Sequence, residues 1–314
     1  MNMKTIKEFV ETGIQDLSDL KDALQLAMQL EFSTIPPYLC AQWSIKKDPD
    51  RVEGILHRVV SQEMSHFALA GNLLTAIGGV PRVGYAEFLP KYPIKYLPGG
   101  IYQKMPVDLR PLTHRQVLVF MQIECPEFPP VAFALTGRPA TIGAFYSTIA
   151  ESFSQLQPTI DANAACVEVP FAKRIQNVAD AIVTIERIKS EGEGLEDSPE
   201  EPLGDNSVAH YYLFKEIYVG RRLIRTDEGW KFKGEDVRFP EVVQFKRRGR
   251  PSEKSALFKE ALSRLLLDLE ECWSTSKAPN VPRMFELQIL GRKLIENGIC
   301  PDFAWAPVHA EESV

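Results

Sequence analysis

Apolar residues recur at three- and four-residue spacing over long stretches of this chain, the pattern of helices that bury one face. The first stretch predicts a helix from about Asp16 or Ser18 to Ile45, with Leu20, Leu24, Ala27, Met28, Ile35, Tyr38 and Leu39 inward. Pro36 and Pro37 fall inside it and predict a kink. The second runs from Val52 to Ile77 and carries Ile55, Leu56, Val59, Val60, Phe67, Ala70, Leu73 and Leu74. Lys46-Lys47-Asp48-Pro49-Asp50 reads as a tight turn, so these two helices should form an antiparallel hairpin.

Three polar residues sit within these apolar stripes. Glu31 interrupts the first, and Glu63 and His66 occupy two slots of the second. A carboxylate and an imidazole three residues apart project from one helix face. A buried carboxylate is costly unless it is paired or coordinates a metal. Glu-x-x-His on an inward face is a motif of di-metal carboxylate sites in helical bundles. A lone instance is a weak sign in a chain with 42 acidic residues and five histidines. Glu31 strengthens it, because the hairpin turn brings Glu31 level with both Glu63 and His66.

Gly78-Gly79-Val80-Pro81 should end the second helix. From Arg82 to Leu112 the chain is rich in Pro, Gly and Tyr and reads as a long irregular crossover on the surface, within 80–112. Thr113 is placed to cap a helix that runs into Glu124 and stops at Pro126. Further helices are expected over Thr141 to Leu156, Gln176 to Lys189 and Ser207 to Ile217, the last with His210 near its start. The acidic, proline-bearing stretch 195–206 reads as an exposed loop, and Gly229 to Val243 as strand-like or irregular. Two amphipathic helices, Glu253 to Trp273 and Val281 to Asn297, precede a proline-rich tail. The fold class is all-α, divided into a bundle over 1–240 and a C-terminal helical extension over 241–314 packed on it.

Composition narrows the functional classes. The 314 residues are 45% hydrophobic and 25% charged, with a net charge of -6. A deficit of basic residues, whose densest cluster is the short run Lys246-Arg247-Arg248-Gly249-Arg250, argues against a nucleic-acid partner. No signal peptide is visible at the N-terminus, and no apolar run suits a membrane span. Cys40, Cys125, Cys166, Cys272 and Cys300 are scattered and without C-x-x-C spacing, which fits reduced thiols in a cytoplasm.

Several segments resemble a known family. They are Leu30-Glu31-Phe32-Ser33-Thr34-Ile35-Pro36-Pro37-Tyr38-Leu39, the run from Gln62 to Gly79, Ile123-Glu124-Cys125-Pro126-Glu127, Thr141-Ile142-Gly143-Ala144-Phe145-Tyr146, Gly192-Glu193-Gly194 and His210-Tyr211-Tyr212-Leu213-Phe214. Together they are similar to the ferritin-like family that includes the iminophenylpyruvate dimer synthase of violacein biosynthesis. The resemblance covers most of the chain. It implies a ferritin-like four-helix bundle with added C-terminal helices, and a metal centre inside the bundle.

In the general di-metal plan each helix pair supplies a Glu and a Glu-x-x-His. Glu31, Glu63 and His66 fill one half. In the other half His210 has Ser207 where the carboxylate of a Glu-x-x-His belongs. Glu193 is the chosen replacement, and Glu124 the chosen ligand of the third helix. Glu151 and Glu186 stand as rivals for those roles. His57 and His114 read as surface or capping residues, and His309 lies in the tail. Tyr38, Tyr146 and Tyr211 are within reach as donors or redox neighbours, although they also suit the core.

A mixed carboxylate and imidazole set suits iron, mononuclear or dinuclear, or manganese, and no thiolate pattern points to a Cys-rich zinc or iron-sulfur site. The implied activity is that of an oxidase or oxygenase using dioxygen or peroxide on a small organic substrate of secondary metabolism. By the resemblance that substrate is an imine of an aromatic amino acid, with no catalytic residues beyond the ligands. A homo-oligomer or a pathway enzyme is the partner expected. The alternative is a ferritin-like metal-binding protein without turnover.

Overall fold

The computed structural model describes residues 4–126, 141–194, 198–200, 208–246 and 253–308. A short helix, α1 (Ile6–Thr12), precedes the first long one and was not expected from periodicity. It is fixed by a capping box, in which Thr5 accepts from the Glu8 amide and Glu8 reaches back to the Thr5 amide. The long hairpin follows as α2 (Leu17–Trp43) and α3 (Val52–Ala76). Pro36 and Pro37 are both buried, and α2 continues through them as one helix. The expected turn between α2 and α3 contains a strand, β1 (Ile45–Lys47). Asp48 then starts α3 by accepting from the Val52 and Glu53 amides at 2.8 and 2.7 Å.

The crossover is more ordered than its composition suggests. After a 3-10 turn at Ala86–Phe88, β2 (Ile94–Leu97) and β3 (Ile101–Val107) form an antiparallel hairpin turned by Pro98–Gly100. Gly99 and Gly100 both take positive φ there, and this conformation favours glycine.

Helices α4 (His114–Ile123), α5 (Ile142–Leu156), α6 (Val178–Glu193) and α7 (His210–Val219) complete the bundle. Thr113, Thr141 and Asn177 cap the first three through side-chain oxygens. Helix α4 packs on α7 and α5 on α6, and both pairs lean on the α2–α3 hairpin. The second half of the bundle therefore arrives in four pieces. At the level of Glu63, α4 and α6 end while α5 and α7 begin.

Strands β4 (Ile224–Thr226) and β5 (Gly229–Lys231) form a small hairpin, and β6 (Glu241–Val242) pairs with β1. Helices α8 (Glu253–Thr275) and α9 (Val281–Glu296) then pack on α3 and α2. The contacts are close. Trp273 donates from Nε1 to Asn72 at 2.9 Å and lies so near Gly71 that any side chain there would strike its indole. Gly291 faces Trp43 in the same way. Among the described residues, no helix is long and apolar enough to cross a membrane.

Candidate metal centre

Among the described residues, the interior of the bundle holds two groups of potential ligands, Glu31 with Glu63 and His66, and Glu63 with Glu124 and His210. All five side chains are buried, and Glu63 belongs to both groups. Helix α2 supplies Glu31 and α3 supplies Glu63 and His66, as the hairpin register requires. Glu124 is the residue that closes α4, and His210 is the first of α7. The two imidazole rings lie nearly parallel with centroids 5.7 Å apart.

Each carboxylate has one oxygen held by a hydroxyl. Tyr146 donates to Glu31 Oε1, Tyr38 to Glu124 Oε1 at 2.5 Å, and Thr34 to Glu63 Oε2 at 2.5 Å. The other oxygen of each faces an imidazole Nδ1. Glu31 Oε2 and Glu63 Oε1 lie 3.6 and 3.7 Å from His66 Nδ1, beyond hydrogen-bond length. Glu63 Oε1 and Glu124 Oε2 lie 2.9 and 3.5 Å from His210 Nδ1. The far nitrogens are held from behind. His66 Nε2 meets Glu191 Oε2 at 2.8 Å, and His210 Nε2 meets Gln62 Oε1 at 3.2 Å.

The electrostatics describe a cluster with an excess of negative charge. Burial pushes Glu31 up to about 7, helped by the charge of Glu63 and opposed by His66. Burial and the charge of Glu63 likewise raise Glu124. Burial works against Glu63 too, but His210 and His66 together hold its carboxyl well below the usual range. Both imidazoles are driven up against the effect of burial. Glu191, Glu31 and Glu63 raise His66, and Glu124 and Glu63 push His210 up to about 9. The cluster thus collects protons where a cation would neutralise it.

These residues fit a metal ion on a further observation. His210 Nδ1 is fully buried and makes no hydrogen bond, although Glu63 Oε1 is close enough for one. A buried imidazole nitrogen with no hydrogen bond, beside the carboxylates of Glu63 and Glu124, is the donor set that hard and borderline cations such as iron or manganese take.

Of the residues singled out from sequence, Glu193 has a different place. It lines the same pocket but joins neither group. Its carboxylate accepts from the Gly143 amide at 2.7 Å, at the first turn of α5. Glu151 and Glu186 are exposed, as are His57 and His114, the last stacked on Phe239. Tyr211 is buried and its hydroxyl has no partner among the described residues. Ser207, Glu127, His309 and the basic run 247–250 lie outside the described residues.

Sequence reasoning missed Glu191. Helix α6 was expected to stop at Lys189, whereas it continues to Glu193 and places Glu191 one turn beyond Arg187. Arg187 Nε donates to Glu191 Oε1 at 2.7 Å. The signal was available, because Thr184, Ile188 and Glu191 continue the buried face of α6 at helical spacing.

Comparison with known proteins agrees with this architecture. A family model described as ferritin-like matches residues 24–219, a span that contains every residue of both groups. A solved structure of a ferritin-like protein from Caulobacter vibrioides superposes with a TM-score of 0.72 at 22% identity, over 93% of this chain and 100% of that one. No curated protein matches the sequence. The chain belongs to the ferritin-like family.

Proposed function

We propose that the protein is a metal-dependent oxidase or oxygenase, with iron held by Glu31, Glu63, His66, Glu124 and His210, acting on a small organic substrate. One observation carries the reading: two carboxylate and imidazole groups share Glu63, and the buried Nδ1 of His210 faces Glu63 and Glu124 without a hydrogen bond to either. Iron bound there supplies redox chemistry with dioxygen or peroxide, and manganese is the alternative of the same donor preference.

The chain's own part is to bind, orient and exclude. Tyr146, Tyr38 and Thr34 fix one oxygen of each ligating carboxylate, and Glu191 and Gln62 fix the ring orientation of the two histidines. Leu30, Ile123, Ile142 and Ile188 line the pocket and keep bulk water from it. The resemblance to the iminophenylpyruvate dimer synthase type makes an imine of an aromatic amino acid the substrate to try first. Such a molecule would also meet Gly143, Lys189, Gly192 and Glu193, which line the same pocket.

A second reading is favoured by the size of that pocket. Its free volume is about 20 Å³, enough for one or two waters or a diatomic gas but not for an aromatic ring. On that reading the protein holds a metal without turning over an organic substrate. The test has two parts. Metal analysis of the purified protein should find iron or manganese, and Glu63→Ala should abolish it, because one residue serves both groups. An unaltered metal content in that variant would remove the metal reading. Consumption of dioxygen by the iron-loaded protein with aromatic 2-imino acids then decides between oxidase and metal-binding protein.

A further inference from the structure

The two histidines are supported unequally. His66 Nε2 is 2.8 Å from the carboxylate of Glu191, which is fully buried and carries Arg187 on its other oxygen at 2.7 Å. His210 Nε2 is 3.2 Å from the amide oxygen of Gln62, which is neutral and also accepts from Arg58 Nε at 3.4 Å. An imidazole that donates its far N–H to a carboxylate gains electron density at the near nitrogen. One that donates to an amide oxygen already shared with a guanidinium gains little. The near nitrogen is Nδ1 in both cases, the atom that faces the ligating carboxylates.

We infer that the two halves of the centre bind metal with unequal affinity and fill in order. The Glu31, Glu63 and His66 half fills first, with Glu191 as the residue that sets the difference. The inference rests on the metal reading above and adds an order of loading and an assignment for a residue outside both ligand groups. Glu191 is a positioning residue: it acts through His66 and does not reach the ion. The asymmetry is built into the sequence. The α3 residue beside Glu63 is an amide, whereas α6 ends in a carboxylate pinned by an arginine one turn earlier.

The experiment is an anaerobic calorimetric titration of the metal-free full chain with Fe(II) near neutral pH. The wild type should bind in two resolved steps, with Glu31→Ala removing the tighter and Glu124→Ala the weaker. Glu191→Gln keeps the shape of the side chain and removes its charge. It should weaken the tighter step about 10- to 100-fold and move the weaker by less than about threefold. Gln62→Glu gives His210 the carboxylate it lacks and should tighten the weaker step by about tenfold, a gain that a misfolded protein does not produce.

Equal weakening of both steps by Glu191→Gln, or no effect on either, overturns the inference while leaving the metal centre in place. So does a Gln62→Glu variant whose weaker step is unmoved. A wild-type chain that binds no Fe(II) defeats the metal reading itself and the ordering with it, and that result is seen before any variant is made.

Discussion

Gly143→Ala tests whether Glu193 serves α5 or the ion. Gly143 stands in the first turn of α5, and a Cβ built on it would overlap both oxygens of the Glu193 carboxylate. The carboxylate would have to leave the Gly143 amide, which now donates to it at 2.7 Å. A buried hydrogen bond to a charged group contributes about 1.5–3 kcal/mol, and this one also places a negative charge at a helix N-terminus. Alanine recovers about 1 kcal/mol over glycine inside a helix. The net loss is then about 0.5–2 kcal/mol, which for a chain of this size lowers the melting temperature by roughly 1–3 °C. Scanning calorimetry of the metal-free protein measures it, with Fe(II) affinity measured alongside. If Glu193 acts as a second cap of α5 beside Thr141, the variant melts earlier and binds Fe(II) within about threefold of wild type, and Glu193→Gln behaves in the same way. A Gly143→Ala protein as stable as wild type would refute the capping role, and a tenfold loss of affinity in Glu193→Gln would make Glu193 a ligand.

Two further predictions concern the frame around the centre. Gly71→Ala drives a methyl group into the buried indole of Trp273 and should cost about 1–3 kcal/mol, read as an earlier chemical-denaturation midpoint. An unchanged midpoint would show that α8 slides on α3 without penalty. Asp50 binds Arg238 through both carboxylate oxygens and its main-chain amide, which holds its pKa at about 2. A carboxyl lowered on folding stabilises the native state above its unfolded value near about 4, and that contribution is lost as pH falls through the folded value. Arg238→Ala should move the Asp50 titration, followed by carboxyl NMR, up toward the ordinary range, with the retained main-chain amide keeping part of the shift. An Asp50 that still titrates near 2 in the variant would assign the shift to something other than the guanidinium.

How much of this was legible in the sequence depends on whether an element declares itself locally. Helices α2 and α3 did, because each has a long apolar stripe and the turn between them is short. Glu31, Glu63 and His66 followed from register alone. The small α1 offers too few residues for periodicity, although its Thr5 and Glu8 capping pair was there to be read. The β2–β3 hairpin was hidden because its strands are short and its sequence is dominated by Pro, Gly and Tyr. The second half of the centre was harder for a geometric reason. The Glu-x-x-His rule assumes one continuous helix, and here α6 ends and α7 begins at the site, so no residue three before His210 is needed. Its carboxylates come from Glu63 on α3 and Glu124 at the end of α4.

The hydroxyl contacts mark the limit of reading by stripe. Tyr38 is two turns past Glu31 on α2 yet bonds Glu124 on α4, and Tyr146 on α5 bonds Glu31. Nothing in the spacing pairs these residues, and by periodicity both tyrosines count as core. Their placement nevertheless decides how many oxygens the site offers. Six carboxylate oxygens belong to Glu31, Glu63 and Glu124, and three of them are already engaged by Tyr146, Thr34 and Tyr38. The remaining three face the two Nδ1 atoms. A chain that kept every acidic and histidine residue but replaced these hydroxyls would look unchanged to a motif search. It would present six mobile oxygens where this one presents three aimed ones, and that difference in aim, more than the count of acidic residues, is what separates a prepared cation site from a buried acidic cluster.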